Sequence, residues 1–494
     1  MHSTLTDSDI AAYLQRHQLL RQTHTDGRSV RKTVQSNSKQ TEKGCIFVAY
    51  KGVSFDSHTV LADVVALGAG FIVLDDEKYI PTLGGASYAL VTDSREALSF
   101  LAALINDEPQ DGMVLVGVTG TNGKSSTVWF VRELFSVMGI PILTIGTLGA
   151  FMGEERLSTE HTTPDPTELF SLLRKAKERG IRHVCMEVSS HSIAQKRIGP
   201  LQFSAVAFTS FSRDHLDYHA SMEEYFAAKW ELFSGKYLKP DALRLVNDKI
   251  GIMPGAKHVV HLRYGFGKEN EVAIRMQSAT SRGSELSVSY KDATESGLVP
   301  LLAGYAAENF SAALVLASHV SGRPLVPASK WMQIRDVPGR LERVRGPNGS
   351  PDVFVDYAHT PDSLEQSLKV LRPITPGTLW VVFGCGGDRD AGKRPLMGKV
   401  AIANADRVVV TSDNPRTEDP NKIIQDIVSS LDATDGYSVV VDREKAIGEA
   451  LARAQAGDCV LIAGKGHEDY QIIGKDKKPF DDRKVAADSL RKKK

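Results

Sequence analysis

Much that would mark a secreted, membrane-bound or nucleic-acid-binding protein is missing from this sequence. Only four cysteines occur in 494 residues, Cys45, Cys185, Cys385 and Cys459, and none is in C-x-x-C spacing. Each lies in or beside a strand-like apolar run, which argues for buried thiols in a reducing compartment and against a disulfide frame or zinc site. No apolar run approaches eighteen residues, so membrane insertion is not expected. The opening "MHSTLTDSDIAAYLQRH" has neither the basic start nor the apolar stretch of a secretory signal, and a cytoplasmic location is expected. Charge of one sign is also missing: Lys+Arg and Asp+Glu both number 60. No global field recruits nucleic acid or a membrane surface, and the closing "RKKK" reads as a solvated end. There is no low-complexity segment and no fixed-period repeat.

What remains is an ordinary globular composition, 42% hydrophobic and 24% charged, on a chain too long for one core. Residues 45 to 106 alternate short strands ("CIFVAY", "GFIVLD", "YALVTD") with helical runs, and the polar "NDEPQDG" at 106–112 marks a boundary. A second stretch has buried-type strands "MVLVGVT", "HVCMEV" and "AVAFTSF", as in a parallel-sheet α/β domain. Its β-rich part, 255–303, reads as an antiparallel annex, and a second boundary falls near "RDVPGRLE". The third stretch repeats strand and helix five times ("VFVDY", "LWVVF", "RVVVT", "YSVVV", "CVLIA"), the rhythm of a doubly wound Rossmann-like sheet. The expected architecture is α/β in three domains, 1–110, 111–337 and 338–494.

"GVTGTNGKSST", 117–127, joins a buried strand to an amphipathic helix expected from Ser125 to Met138, which Gly139 and Pro141 stop. The strict P-loop has Gly six residues before the Lys, where this chain has Val118. Gly117, Gly120 and Gly123 supply the bends at altered spacing. Backbone N–H groups and the helix N-terminus still converge on anionic oxygens, with Lys124 reaching the phosphates and Ser125 or Ser126 offering a hydroxyl to Mg²⁺. A plain Gly-rich turn is the bland alternative.

The loop also opens a series of motifs in fixed order: "HTTPDP", "MEVSSHSIAQKRI", "SRDHLDYHASMEEYFAAKWELF", "GRLE", "DYAHTPDSL", "GCGGDRDAGKRPLM", "TSDNPRTEDP" and "AGKGHEDYQ". Through most of its length the chain resembles the Mur ligase family, ATP-dependent amide-forming enzymes of peptidoglycan precursor synthesis, in its tripeptide-forming branch. The resemblance implies that ATP binds Gly120, Thr121, Asn122, Gly123, Lys124, Ser125 and Ser126, with Asn309, Arg340, Asp356 and His359 from later segments. For Asp356 and Asn309, capping or helix packing is the alternative. It implies Mg²⁺ on Ser125, Glu187, His215 and a carbamate formed by CO₂ on Lys229, with Lys124, Lys229 and His215 catalytic. By spacing alone Lys229 would be a helix-surface lysine beside Glu231. Glu187 ends a buried strand, where a carboxylate calls for a cation.

The implied partners are UDP-N-acetylmuramoyl-L-alanyl-D-glutamate and meso-2,6-diaminopimelate, acting on a chain expected to be a monomer. Ser38, Thr162, Thr163, Ser189, Gln195 and Arg197 fall to the first partner, together with the 53–55 loop. Here the chain departs from the family, carrying Asn37-Ser38-Lys39 where relatives commonly have Asp-Ser-Arg. Arg389, Asp413, Asn414, Pro415, Arg416, Gly464 and Glu468 fall to the amino acid, with Asn414 and Glu468 reading its distal amine. The "DNPR" turn goes with meso-diaminopimelate, whose distal carboxylate an Arg fork pairs with; L-lysine or another diamino acid is the alternative. The implied reaction passes through an acyl phosphate and needs hinge closure near 335–342. His215, His359 and His467 all stand as candidate bases for the incoming amine. Folylpolyglutamate synthetase and a P-loop switch are the rival readings. The separate α/β region before residue 110 and "DNPR" speak against the first, and dependence on the UDP-dipeptide would exclude the second.

Overall fold

The structure is a computed structural model. It describes residues 4–492 apart from 53–54, 216–217, 252–258, 260, 281, 303 and 433–435. The chain packs into two compact units, Met1–Val272 with Ala312–Leu325, and Ala273–Ser311 with Val326–Lys494.

Besides a two-stranded pair, Thr4–Thr6 with Ser29–Arg31, the first unit holds two large sheets. The N-terminal one runs, edge to edge, Leu20–His24, Tyr88–Val91, Phe71–Leu74, Ile46–Val48 and Val34–Gln35, parallel except at Leu20–His24. Its inner strands are apolar at every position, as strands covered on both faces must be. The second sheet centres on Val114–Thr119, flanked in parallel by His183–Glu187 and Phe203–Phe208. A shared apolar core runs from Val48 and Phe71 of one sheet to Leu115 and Val206 of the other. Ser99 donates to the Lys196 carbonyl at 2.7 Å, tying the helix Ser94–Ile105 to the turn at 195–197.

Two departures from the sequence reading extend this second sheet. Leu238–Asn247 is a ten-residue strand parallel to Phe203–Phe208, unforeseen because "KPD" interrupts its apolar pattern. Leu262–Gly265, expected in an antiparallel annex, pairs in parallel with it and so prolongs the parallel sheet. Antiparallel pairing holds further on, between Gly283–Tyr290 and Ala293–Val299 of the second unit.

That second unit carries the doubly wound sheet. Five parallel strands lie in the order Asp352–Asp356, Cys459–Ala463, Leu379–Phe383, Arg407–Val410, Tyr437–Val439, with Glu342–Val344 antiparallel on the edge. One face is covered by Pro361–Leu371, Lys393–Asn404 and Pro420–Val428, the other by Arg443–Arg453 and Asp482–Lys492. The last strand inserts between the first two, so connections diverge there and open a crevice at the carboxyl ends, where such sheets bind ligands. All four cysteines are free and buried, and among the described residues no helix is long and apolar enough to cross a membrane.

Candidate active site

The strand Val114–Thr119 delivers the Gly-rich loop, and the helix starts at Lys124, one residue earlier than expected, and ends on left-handed Gly139. Gly120 has φ +147°. A Cβ there would overlap Thr209 Oγ1 and stand 3.0 Å from the Ser210 backbone nitrogen, so only glycine fits. The loop is braced from outside: Thr121 N donates to Ser210 O at 2.8 Å and Asn122 N to Ser210 Oγ at 2.8 Å. Lys124 Nζ folds back onto the carbonyls of Gly120 and Thr121, both at 2.8 Å, while Ser125 and Ser126 lie half-buried on the first helical turn.

A second amine meets the same carbonyl. Lys229, on the helix Met222–Trp230 that Ser221 caps, donates from Nζ to Gly120 O at 2.9 Å and lies 4.6 Å from the Tyr225 ring centre. It is 1% exposed, not the surface lysine that spacing alone suggests. Burial, and then the charge of Lys124, hold its pKa well below that of an ordinary lysine, against the weaker pull of Asp214. Burial likewise pushes the Tyr225 phenol up to about 12.

Glu187 is buried at the end of its strand. Its carboxylate accepts the Thr147 backbone N–H at 2.8 Å and packs where a Cβ on Gly146 would overlap Oε1. His215 sits at φ +53° with its ring edge-on to His191, centres 4.9 Å apart. Among the described residues no three His, Cys, Asp or Glu side chains converge as a ready metal site. The donors that the family resemblance assigns to Mg²⁺ are a loop hydroxyl, Glu187, His215 and Lys229. As an ammonium Lys229 would repel a cation, whereas as a carbamate it supplies anionic oxygen, so the residues fit the metal only with the modification.

Beside this loop lies a polar cluster at the strand end of Glu187. Thr163 Oγ1 donates to Glu187 O at 2.9 Å and accepts from Ser189 N at 3.1 Å, while Ser189 caps the short helix Ser190–Ala194. Arg197 donates to Thr163 O at 2.8 Å and to Gln195 Oε1 at 2.7 Å and pairs with Asp165 at 3.1 Å. Thr162 reaches Thr147 Oγ1 at 3.1 Å. Ser38 belongs to a 3-10 turn capped by Asn37, whose Oδ1 accepts from Lys39 N. Asn37 thus has a local turn-capping role. Residues 53 and 54 of the 53–55 loop lie outside the described residues.

In the second unit, Asp356 is 6% exposed and fully engaged, accepting from Leu341 N at 2.6 Å, Ala358 N at 2.8 Å and Ser367 Oγ at 3.2 Å. Burial raises its pKa despite Arg340 nearby. Its bonds brace the turn before the helix Pro361–Leu371, whose N-cap is Thr360. Arg340 stacks on Tyr357, 4.9 Å from the ring centre. His359 donates from Nδ1 to Tyr357 O at 2.7 Å; desolvation, joined by Lys393 and Arg340, lowers its pKa. Asn309 is 5% exposed on the helix Gly304–Ser321.

Three loops meet at the carboxyl ends of the sheet. Gly387 N donates to Asn414 O at 2.9 Å, and Arg416 Nη1 to Gly387 O at 2.7 Å. Arg416 has φ +52° and is held through its backbone by Ile472 O at 3.1 Å and Gly474 N at 2.7 Å. Among the described residues its guanidinium has no carboxylate partner. Pro415 is buried and Arg389 is exposed, turning one N–H to Asp388 O at 3.4 Å. A Cβ on Gly464 would overlap Asp413 Oδ2. Asn414 Nδ2 donates to Glu468 Oε2 at 2.9 Å, while its Oδ1 already accepts from Ile472 N and Lys465 Nζ, both at 2.9 Å. That carbonyl thus accepts two donors of the protein itself. Lys465, fully buried here, went unread in the sequence; the signal was a lysine directly after a buried strand, in "LIAGKGHE".

A phosphate cradle on one parallel sheet and a carboxyl-edge crevice on a doubly wound one describe an ATP-dependent ligase, and sequence comparison gives the class. The chain belongs to the Mur ligase family of ATP-dependent amide-forming ligases: residues 118–317 match the Mur ligase middle domain and 339–466 the Mur ligase glutamate ligase domain. Within the family it is similar to UDP-N-acetylmuramoyl-L-alanyl-D-glutamate--2,6-diaminopimelate ligases. It is 40% identical to that of Thermosynechococcus vestitus over 93% of both chains, and 37% identical to that of Aquifex aeolicus over 93% of both. A solved ligase of the same description superposes with a TM-score of 0.71 at 30% identity over 99% of both chains. Folylpolyglutamate synthase of Mycobacterium tuberculosis shares the fold at 18% identity and TM-score 0.59, covering 75% of this chain and 92% of its own.

Proposed function

We propose that the protein joins meso-2,6-diaminopimelate to UDP-N-acetylmuramoyl-L-alanyl-D-glutamate, using ATP to activate the glutamate side-chain carboxylate as an acyl phosphate. The names of its relatives supply the substrates, and the reading is supported by two loops, one in each unit. One is built for phosphate around Gly120. The other presents the Arg416 guanidinium, which has no carboxylate partner among the described residues, together with the acid Glu468.

The N-terminal sheet, with Ser38, would take the UDP end, and the Thr163–Ser189–Arg197 cluster the dipeptide. Lys124, already aimed along the loop by two carbonyls, would turn to the transferring phosphoryl and stabilise its charge. Lys229 is poised for carbamate formation, since the free amine that attacks CO₂ is favoured by the same burial that lowers its pKa. Carbamate, Glu187, His215 and a loop hydroxyl would then hold Mg²⁺, which neutralises phosphate charge when bound. In the second unit Arg389 would take the carboxylate beside the reacting amine, Arg416 the distal carboxylate and Glu468 the distal amine. The amine attacks the acyl phosphate carbon, phosphate leaves, and the attacking nitrogen gives up a proton. The test is orthophosphate release from ATP with the UDP-dipeptide and a panel of diamino acids. Release that needs both the dipeptide and meso-diaminopimelate supports the reading; release indifferent to either overturns it.

A further inference from the structure

A fully buried lysine stands among the amino-acid-binding groups without being assigned any task. Lys465 Nζ lies 2.9 Å from Asn414 Oδ1, 3.3 Å from Glu468 Oε2 and 3.8 Å from Asp413 Oδ1. Among the described residues these are its only hydrogen-bond and ionic partners. We infer that Lys465 is a specificity-determining positioning residue: it fixes the Asn414 amide and cancels one of two carboxylates, so that the distal end of the site fits a zwitterion rather than a lone cation. The inference rests on the proposed function and deepens it.

Two physical steps carry it. The first concerns orientation. Lys465 Nζ and Ile472 N are both donors, so the side of the Asn414 amide facing them has to be its oxygen. The amide nitrogen is thereby turned onto Glu468 Oε2, which also accepts from Lys465, leaving Oε1 for a ligand ammonium. The second concerns charge. Asp413 and Glu468 carry two negative charges, and Lys465 between them reduces the trio to one. Arg443 and Arg394, the buried arginines at this sheet edge, are already matched, Arg443 by Asp482 at 2.7 Å and Arg394 by Glu418 and Asp426, both at 2.8 Å. One net negative charge beside the Arg416 fork matches the distal end of meso-diaminopimelate, one ammonium and one carboxylate. Without Lys465 the surplus carboxylate would repel the ligand carboxylate and attract a bare ammonium, favouring L-lysine.

The experiment measures the KM of meso-diaminopimelate and the inhibition constant of L-lysine against it, in the unmodified enzyme and in K465M, K465Q and K465R. K465M should raise the ratio of the two constants about tenfold or more, with kcat at saturation changing less. K465Q keeps a hydrogen-bond donor without the charge and should follow K465M, while K465R should keep most of the preference. If K465M does not fold, as judged by circular dichroism, K465Q gives the same reading. A ratio unmoved in both neutral variants, or moved equally in K465R, overturns the inference. Absence of meso-diaminopimelate-dependent turnover in the unmodified enzyme would instead refute the proposed function.

Discussion

Replacing Gly120 by alanine tests the phosphate cradle at its tightest point. The new Cβ would overlap Thr209 Oγ1, and Thr209 has little room to yield, since that hydroxyl bonds both Asn122 O and, at 3.1 Å, Thr119 O. The backbone at φ +147° adds conformational strain of about 1–3 kcal/mol, and the overlap about 1–3 kcal/mol more. Any relaxation displaces the Gly120 carbonyl, on which both Lys124 and Lys229 rest. A shift of that size in a positioning element costs on the order of 10²-fold in rate. Orthophosphate release should therefore show kcat/KM for ATP reduced by ~10²-fold or more, with UDP-dipeptide affinity little changed. Thr209→Ala removes the obstructing oxygen, so the G120A/T209A double variant should exceed the product of the two single effects, by about tenfold. Normal turnover in G120A, or strictly multiplicative effects in the double variant, would refute the steric argument.

Lys229→Ala should nearly abolish turnover, and short-chain carboxylic acids added to it should restore part by replacing the carbamate oxygens; full activity without them counts against the modification. Arg416→Ala should erase most of an expected ~10³-fold preference for meso-diaminopimelate over L-lysine in kcat/KM, by weakening the former, and competition kinetics with both amino acids measure it. Arg443→Met leaves Asp482 buried without its cation and should cost about 3–5 kcal/mol in urea unfolding; a smaller loss in R443M/D482L than in R443M would confirm that the stranded charge causes it.

The sequence disclosed most where chemistry and periodicity coincide. Four of the five parallel strands of the doubly wound sheet carry buried apolar runs that read plainly as strands covered on both faces, while the short edge strand Tyr437–Val439 is partly exposed. The Gly-rich loop was legible through glycines whose positions only glycine can occupy. Leu238–Asn247 was not, because Pro240 and Asp241 sit inside a strand whose pairing alone reveals it. Lys229 stood out by motif, but its burial and its closeness to Lys124 depend on folding 109 residues of chain back onto Gly120, which no local pattern encodes. Asn414 stood out by motif, but its bonds to the hairpin strand Tyr470–Ile473 and to Lys465 had no local signal.

The interlocking of three loops also bears on how this specificity can be altered. Arg416 is aimed by Gly387 through its side chain and by Ile472 and Gly474 through its backbone, while Asn414 is gripped by Gly387, Lys465, Glu468 and Ile472. A relative's "DNPR" counterpart transplanted by itself would arrive without the neighbours that orient it. On the proposed function, substrate range in this crevice would be inherited as a block of three segments, roughly 384–389, 411–417 and 464–474, far apart in the gene and contiguous in space. Recombination that exchanges one segment disrupts recognition, whereas a chimera exchanging all three is the smallest unit expected to carry a new amino-acid preference intact.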